Sequence, residues 1–101
     1  MIEPAQITGF DWDEGNSRKS TQKHHVIQSE VEQIFFNQPL LLLDDNAHRQ
    51  KEARYHALGN TDDGRQLHVT FTLRAKGALI RIISARDMNR KERANYEQNQ
   101  S

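Results

Sequence analysis

Residues 63–86 read DGRQLHVTFTLRAKGALIRIISAR, and the reading of this stretch decides the fold. Asp63-Gly64 marks a tight turn, because glycine enters the left-handed backbone that a hairpin requires. Beyond it Leu67, Val69, Phe71 and Leu73 alternate with His68, Thr70, Thr72 and Arg74. Successive side chains on a strand point to opposite faces, so this segment is a half-buried strand with one apolar and one polar side. Gly77 supplies a second turn. Ala78 to Ala85 is then a further strand, rich in isoleucine and central in its sheet. Strands joined by turns this short pair antiparallel.

Working upstream, Arg54 to Asn60 reads as the preceding strand, with Tyr55 and Ala57 on one face and His56 and Leu58 on the other. Residues 44–52 are charged and polar and read as a loop. Leu40 to Leu43 is a short apolar run between Pro39 and Asp44, a length that suits a buried strand. Ser29 and Glu32 have capping-box spacing, and Val31, Ile34 and Phe35 follow at the i, i+3, i+4 interval of a buried helix face. Pro39 stops that helix near Asn37. A short strand is expected at Ile7 to Phe10. Asp11 and Glu14 form another capping-box pair, opening a polar helix from about Trp12 to Lys23 that Trp12 must anchor. Downstream, Asn89 and Glu92 form a third such pair, opening a helix to about Gln98.

The order is β-α-α-β-β-β-β-α, an α+β fold with a small antiparallel sheet flanked by helices. The 101 residues make one domain, 1–101, with a loose lead-in at 1–5. In the C-terminal helix, 90–98, only Ala94 and Tyr96 are apolar. It is therefore expected to be mobile in the free protein or packed against a partner.

Composition narrows the function. There is no cysteine, which removes disulfides, cysteine nucleophiles and thiolate metal sites and fits a cytoplasmic protein. No apolar run reaches 18 residues, and no signal peptide is recognisable. His24, His25, His48, His56 and His68 lack metal-ligand spacing, so no metal and no cofactor is expected. Serine-hydrolase elbows and phosphate-binding glycine loops are missing too. Net charge is zero but segregated: residues 1–64 carry six Lys/Arg against eleven Asp/Glu, and residues 65–101 carry eight against three. Such a split suits an anionic partner.

The basic strand is the place to look. An arginine within an isoleucine-rich strand is costly to bury unless it is paired or reaches water. Arg81 either snorkels or pairs with Glu52 or Asp44, or else it grips a phosphate together with Arg86, since a guanidinium fork matches phosphate oxygens. Arg90, Lys91 and Arg93 extend the patch. On strict alternation Arg81 and Arg86 fall on opposite faces. They reach one phosphate only where the strand end twists or bulges near Ser84.

Four pieces, in order, carry a family resemblance. They are Phe10-Asp-Trp-Asp13 with Lys23-His24; Glu52-x-Arg54 with Leu58-Gly59; Gly64-Arg65 leading to Val69, Phe71 and Thr72; and Arg81-Ile-Ile-Ser-Ala-Arg86 with Glu92-Arg93 and Tyr96. Together they resemble the BrnT family of bacterial toxins over about Phe10 to Tyr96. The resemblance implies a RelE-like ribonuclease fold and the toxin of a type II toxin–antitoxin system, acting on an RNA substrate. It also implies a BrnA-type, ribbon-helix-helix-like antitoxin that neutralises the toxin, and contact with operator DNA through that antitoxin alone. The chain departs from the family at Asn16, where a lysine is usual, at Ser20, where an asparagine is usual, and at His25, where a glycine is usual.

Metal-independent RNA cleavage needs a proton taken from the 2′-hydroxyl, a stabilised phosphorane and a proton given to the 5′-oxygen. Under the resemblance, Arg81 and Arg86 stabilise the phosphorane and Arg54 positions the phosphate. Lys23, His24 or Glu52 carries protons, and Lys23-His24 equally suits a helix C-terminus. Thr72 and Ser84 orient groups through their hydroxyls, with Arg90, Lys91 and Arg93 holding the RNA. The competing reading is a catalytically degraded RelE-like module that docks an acidic protein or nucleic acid without breaking a bond.

Overall fold

The computed structural model describes residues 6–12, 22–45 and 53–98. Its elements are β1 (Gly9–Trp12), α1 (Gln28–Ile34), β2 (Leu41–Asp45), β3 (Arg54–Asn60), β4 (Gln66–Arg74), β5 (Leu79–Asp87) and α2 (Arg90–Gln98), with one 3-10 turn at Ala75–Gly77. Residues 22–24 are also helical. The strands form one sheet in the order β1-β5-β4-β3-β2. β3 to β5 pair antiparallel, as expected from the turns, and β2 extends the meander by pairing antiparallel with β3. β1 joins it parallel to β5, pairing Gly9 with Leu79 and Trp12 with Ile82. No helix among the described residues is long and apolar enough to cross a membrane.

Alternation builds the core. Tyr55, Ala57, Leu67, Val69, Phe71, Ile80, Ile82 and Ala85 line one face of the sheet, and α1 covers it with Val31 and Ile34. Phe35 stands edge-on to Phe71 at 5.3 Å, and Tyr55 stacks on Phe71 at 5.5 Å. A Cβ on Gly59 would lie 2.9 Å from Ile34 Cβ, so the close approach of α1 to β3 requires glycine there. On the other face Leu58, Met88, Tyr96 and the flanking Leu41 form a smaller cluster beneath α2. Tyr96 is fully buried; its hydroxyl donates to Pro39 O at 2.6 Å and accepts from Asn60 Nδ2 at 2.8 Å.

Several local expectations are corrected. The first strand spans Gly9–Trp12 and not Ile7 to Phe10, so Asp11 and Trp12 are strand residues and no helix starts at Trp12. The open edge of β5 overrides the local capping signal, because pairing satisfies a row of backbone groups at once. Trp12 instead donates its indole N–H to Glu32 Oε2 at 2.8 Å. The remainder of the expected first helix, residues 13–21 with Glu14, lies outside the described residues. α1 starts before the Ser29/Glu32 pair: Ile27 is its N-cap, and the Ile27 N–H donates to Glu30 Oε1. The Leu40–Leu43 run is a strand, as expected, but not a buried one. It belongs to edge strand β2, which is half-buried, with Leu43 exposed and Asp44 and Asp45 included; 46–52 are outside the described residues.

Candidate active site

The polar face of the sheet, opposite α1, gathers the chemistry-bearing side chains. Thr70 pairs with Ser84, but Phe71 pairs with Ile82, so β5 carries one extra residue, Ile83, without a partner on β4. This bulge shifts the alternation of β5. Cross-strand partners share a face. Arg81 (beside Thr72), Ser84 (beside Thr70) and Arg86 (beside His68) therefore lie on the same face, while Ile80, Ile82 and Ala85 stay in the core.

Three rows cross this face. The first runs Asp45, Arg54, Thr72, Arg81, Asp11 through all five strands, with Arg54 next along β3 from the Tyr55–Phe71 pair. The second runs Leu43, His56, Thr70, Ser84, and the third Leu41, Leu58, His68, Arg86. Neighbouring strands lie about 4.8 Å apart, so each row is within reach of a nucleotide.

In the first row Arg81 Nη1 reaches Asp11 Oδ2 at 3.5 Å, a long contact, and Thr72 Oγ1 donates to Ala53 O at 2.7 Å. Arg54 is exposed. In the second, His56 Nε2 lies 2.9 Å from Asp45 Oδ2 and His56 Nδ1 lies 3.0 Å from Thr70 Oγ1. The rings of His56 and His68 stack at 4.9 Å. In the third, Arg86 makes a two-pronged pair with Glu92 of α2, at 2.8 and 2.9 Å. Glu92 is held in place by the Asn89 capping box, which forms as the spacing foretells.

These contacts set the charges. Hydrogen bonding to Arg86 holds the Glu92 carboxyl down at about 2, and the same pair raises the Arg86 guanidinium. Burial, aided by the Arg86 charge, pushes His68 down to about 4. At neutral pH His68 is therefore uncharged, and its 3.8 Å approach to Glu92 is no ion pair. Its buried Nδ1 has no hydrogen-bond partner among the described residues. A cavity of about 240 Å³ opens here between β2, β3 and α2, lined by Leu43, His56, Leu58, His68, Lys91, Glu92 and Asn95. A larger one of about 330 Å³ lies on the α1 side, walled by Phe10, Phe35, Phe36, Leu40 and Leu42. Its lining carries no ionisable side chain, so it has little to offer acid–base chemistry.

The structure thus brings Arg54, Thr72, Arg81, Ser84 and Arg86 together on one face. Arg90 and Lys91 are exposed at the start of α2, and the exposed Arg93 donates to Met88 O at 2.9 Å. Lys23 is exposed in the helical residues 22–24, and His24 follows it. The His24 carbonyl accepts from Arg65 Nη2 at 3.2 Å, and the His24 charge acts on Asp87, at the far end of β5 from Arg81. Glu52 is outside the described residues. Asp11, Asp45, His56, His68, Thr70 and Glu92 are site neighbours that spacing alone does not single out. The polar side of the β4 alternation was the available signal for His68 and Thr70; the ladder that puts His56 and Asp45 beside them is not written in spacing.

A family model described as the ribonuclease toxin BrnT of type II toxin–antitoxin systems matches residues 12–92. No curated protein matches the chain. The crystal structure of the Brucella abortus ribonuclease toxin BrnT is similar with a TM-score of 0.60 at 16% identity, covering 83% of this chain and 100% of that one, a likeness of fold. The matched stretch runs from Trp12 in β1 to Glu92 in α2, over most of the sequence and every strand of the polar face, and the chain belongs to the BrnT family of type II toxin–antitoxin ribonuclease toxins.

Proposed function

We propose that the chain is an active, metal-independent endoribonuclease that inhibits growth by cutting RNA and is neutralised by a BrnA-type antitoxin of ribbon-helix-helix kind. Operator DNA is contacted through that antitoxin. The observation that carries the reading is the Ile83 bulge, which turns Arg81 and Arg86 to the one face that also carries Arg54. Guanidinium groups so placed offer fixed positive charge where a pentavalent phosphorane develops negative charge, and stabilising that charge is what lowers the barrier most. Arg54 positions the scissile phosphate. Thr72, Ser84, Arg90, Lys91 and Arg93 line the path of the strand. The Arg86–Glu92 pair must exchange for an Arg86–phosphate contact when RNA binds, and the segregated charge of the chain favours that approach.

The test is RNA cleavage in chelated buffer. The wild type cuts, and Arg81→Ala and Arg86→Ala each lose on the order of 10²–10³-fold in kcat, the usual loss for one charge-stabilising donor. Full cleavage by folded variants, or a wild type that needs added divalent metal, overturns the mechanism. A wild type that binds RNA without cutting it would mark the chain as the binding module.

A further inference from the structure

Asp45, His56 and Thr70 form a carboxylate–imidazole–hydroxyl chain across three strands on the polar face. The links are 2.9 Å from Asp45 Oδ2 to His56 Nε2 and 3.0 Å from His56 Nδ1 to Thr70 Oγ1. An ionised Asp45 keeps the proton on Nε2. Nδ1 then has its lone pair aimed at the Thr70 hydroxyl, and a base held by a third group is the arrangement that activates a hydroxyl for attack. His56 is two residues along β3 from Arg54, about 7 Å, and the Arg54–Thr72–Arg81 row is the next row on the sheet. Its side chain keeps 24% exposure on the wall of the 240 Å³ cavity. Of the three expected proton carriers, Glu52 lies outside the described residues, and His24, next to Lys23, acts on Asp87, six residues and about 20 Å along β5 from Arg81.

We propose that His56, oriented by Asp45, is the base that accepts the proton of the attacking 2′-hydroxyl, with Thr70 as the relay. The proposal rests on the ribonuclease reading. In the step, the 2′-hydroxyl passes its proton to Thr70 Oγ1 as the Thr70 proton moves to His56 Nδ1. The 2′-oxygen bonds to phosphorus, and the bond from phosphorus to the 5′-oxygen breaks. The departing 5′-oxygen takes a proton from water, leaving a 2′,3′-cyclic phosphate and a 5′-hydroxyl. The imidazolium is stabilised by Asp45 and then returns its proton to solvent. The groups facing His56 are Asp45 from β2, Thr70 and His68 from β4, and Lys91 and Glu92 from α2 across the cavity, with Arg86 of β5 beside His68. The ring stacked on His56 is the neutral one, so the new charge on His56 meets no cation in its stacking partner.

Single-turnover cleavage across pH, read together with the Kd for a 2′-O-methyl RNA that cannot be cut, tests this. His56→Gln should lower the rate on the order of 10²–10⁴-fold, abolish the acid limb of the profile and leave Kd within about two-fold. Asp45→Asn, which presents the wrong tautomer, should lower the rate with the same signature, and its edge-strand position carries the test should His56→Gln fail to fold. Free imidazole should restore part of the rate to His56→Ala. A folded His56→Gln or Asp45→Asn that cuts within three-fold of wild type and keeps the acid limb overturns the assignment and leaves the ribonuclease reading standing. A wild type that cuts no RNA overturns both.

Discussion

His25 holds a left-handed backbone at φ 56°, just after the helical residues 22–24. That is the conformation helices use to end, and it favours glycine because a Cβ crowds the neighbouring carbonyl. The family resemblance gives glycine at this position, and the geometry supplies the reason. His25 is exposed and its carbonyl accepts from Arg65 Nη1 at 2.9 Å, a bond that any residue can make. His25→Gly should therefore raise unfolding free energy by about 0.5–1 kcal/mol, the relief of left-handed strain less the extra chain entropy of glycine. Urea denaturation of the two proteins measures this, and a variant no more stable than wild type would show that the turn carries no strain.

Arg65 ties the elements together. Its guanidinium donates to the carbonyls of His24 and His25, to Glu30 in α1 and to both carboxylate oxygens of Asp87 at the end of β5. Arg65→Ala should cost on the order of 2–3 kcal/mol, since it strips a half-exposed network of charge-assisted bonds. Arg65→Lys should recover less than half, because one ammonium cannot serve partners on both sides of a planar fork. Equal stability of the lysine variant and wild type would refute the fork. This knot also marks where legibility ended. The alternation of β3 and β4 and the Asp63-Gly64 turn could be read directly, because a half-buried strand writes its period of two into the sequence. Arg65 read as part of a hairpin motif, because its partners come from three separate segments. The same holds for Trp12, which looked like a helix anchor and proved to be a strand residue hydrogen-bonded to Glu32. On β5, Arg81 and Arg86 read as opposed until the unpaired Ile83 reversed the phase, and a bulge has no period of its own.

Stability of the molecule against acid follows from how these charges are held. Burial and the Arg86 charge push native His68 down to about 4, whereas an unfolded histidine titrates near 6.5. As pH falls through 6.5 the unfolded chain binds this proton first, so stability drains between about 6.5 and 4. Glu92 works in the next window. Hydrogen bonding to Arg86 keeps the native carboxyl ionised to about 2. Its contribution is complete above about 4.5, where unfolded glutamate titrates, and is lost as pH falls from there to about 2. Asp87, lowered by Arg65, acts in the same direction as Glu92. Each window should be worth about 2 kcal/mol, less than the full shift because both side chains keep some solvent. Urea unfolding at pH 7, 5.5, 4 and 2.5 should show a continuous decline, not a plateau down to pH 4. His68→Gln should flatten the part above pH 4 and leave the steep part below it. A wild type equally stable at pH 7 and 4 would mean that His68 takes its proton in the native state, with Glu92 3.8 Å away to receive it. The third row of the polar face would then gain a charge on the ring stacked against His56. The His68→Gln stability curve therefore has to be measured before the acid limb of cleavage is assigned to His56.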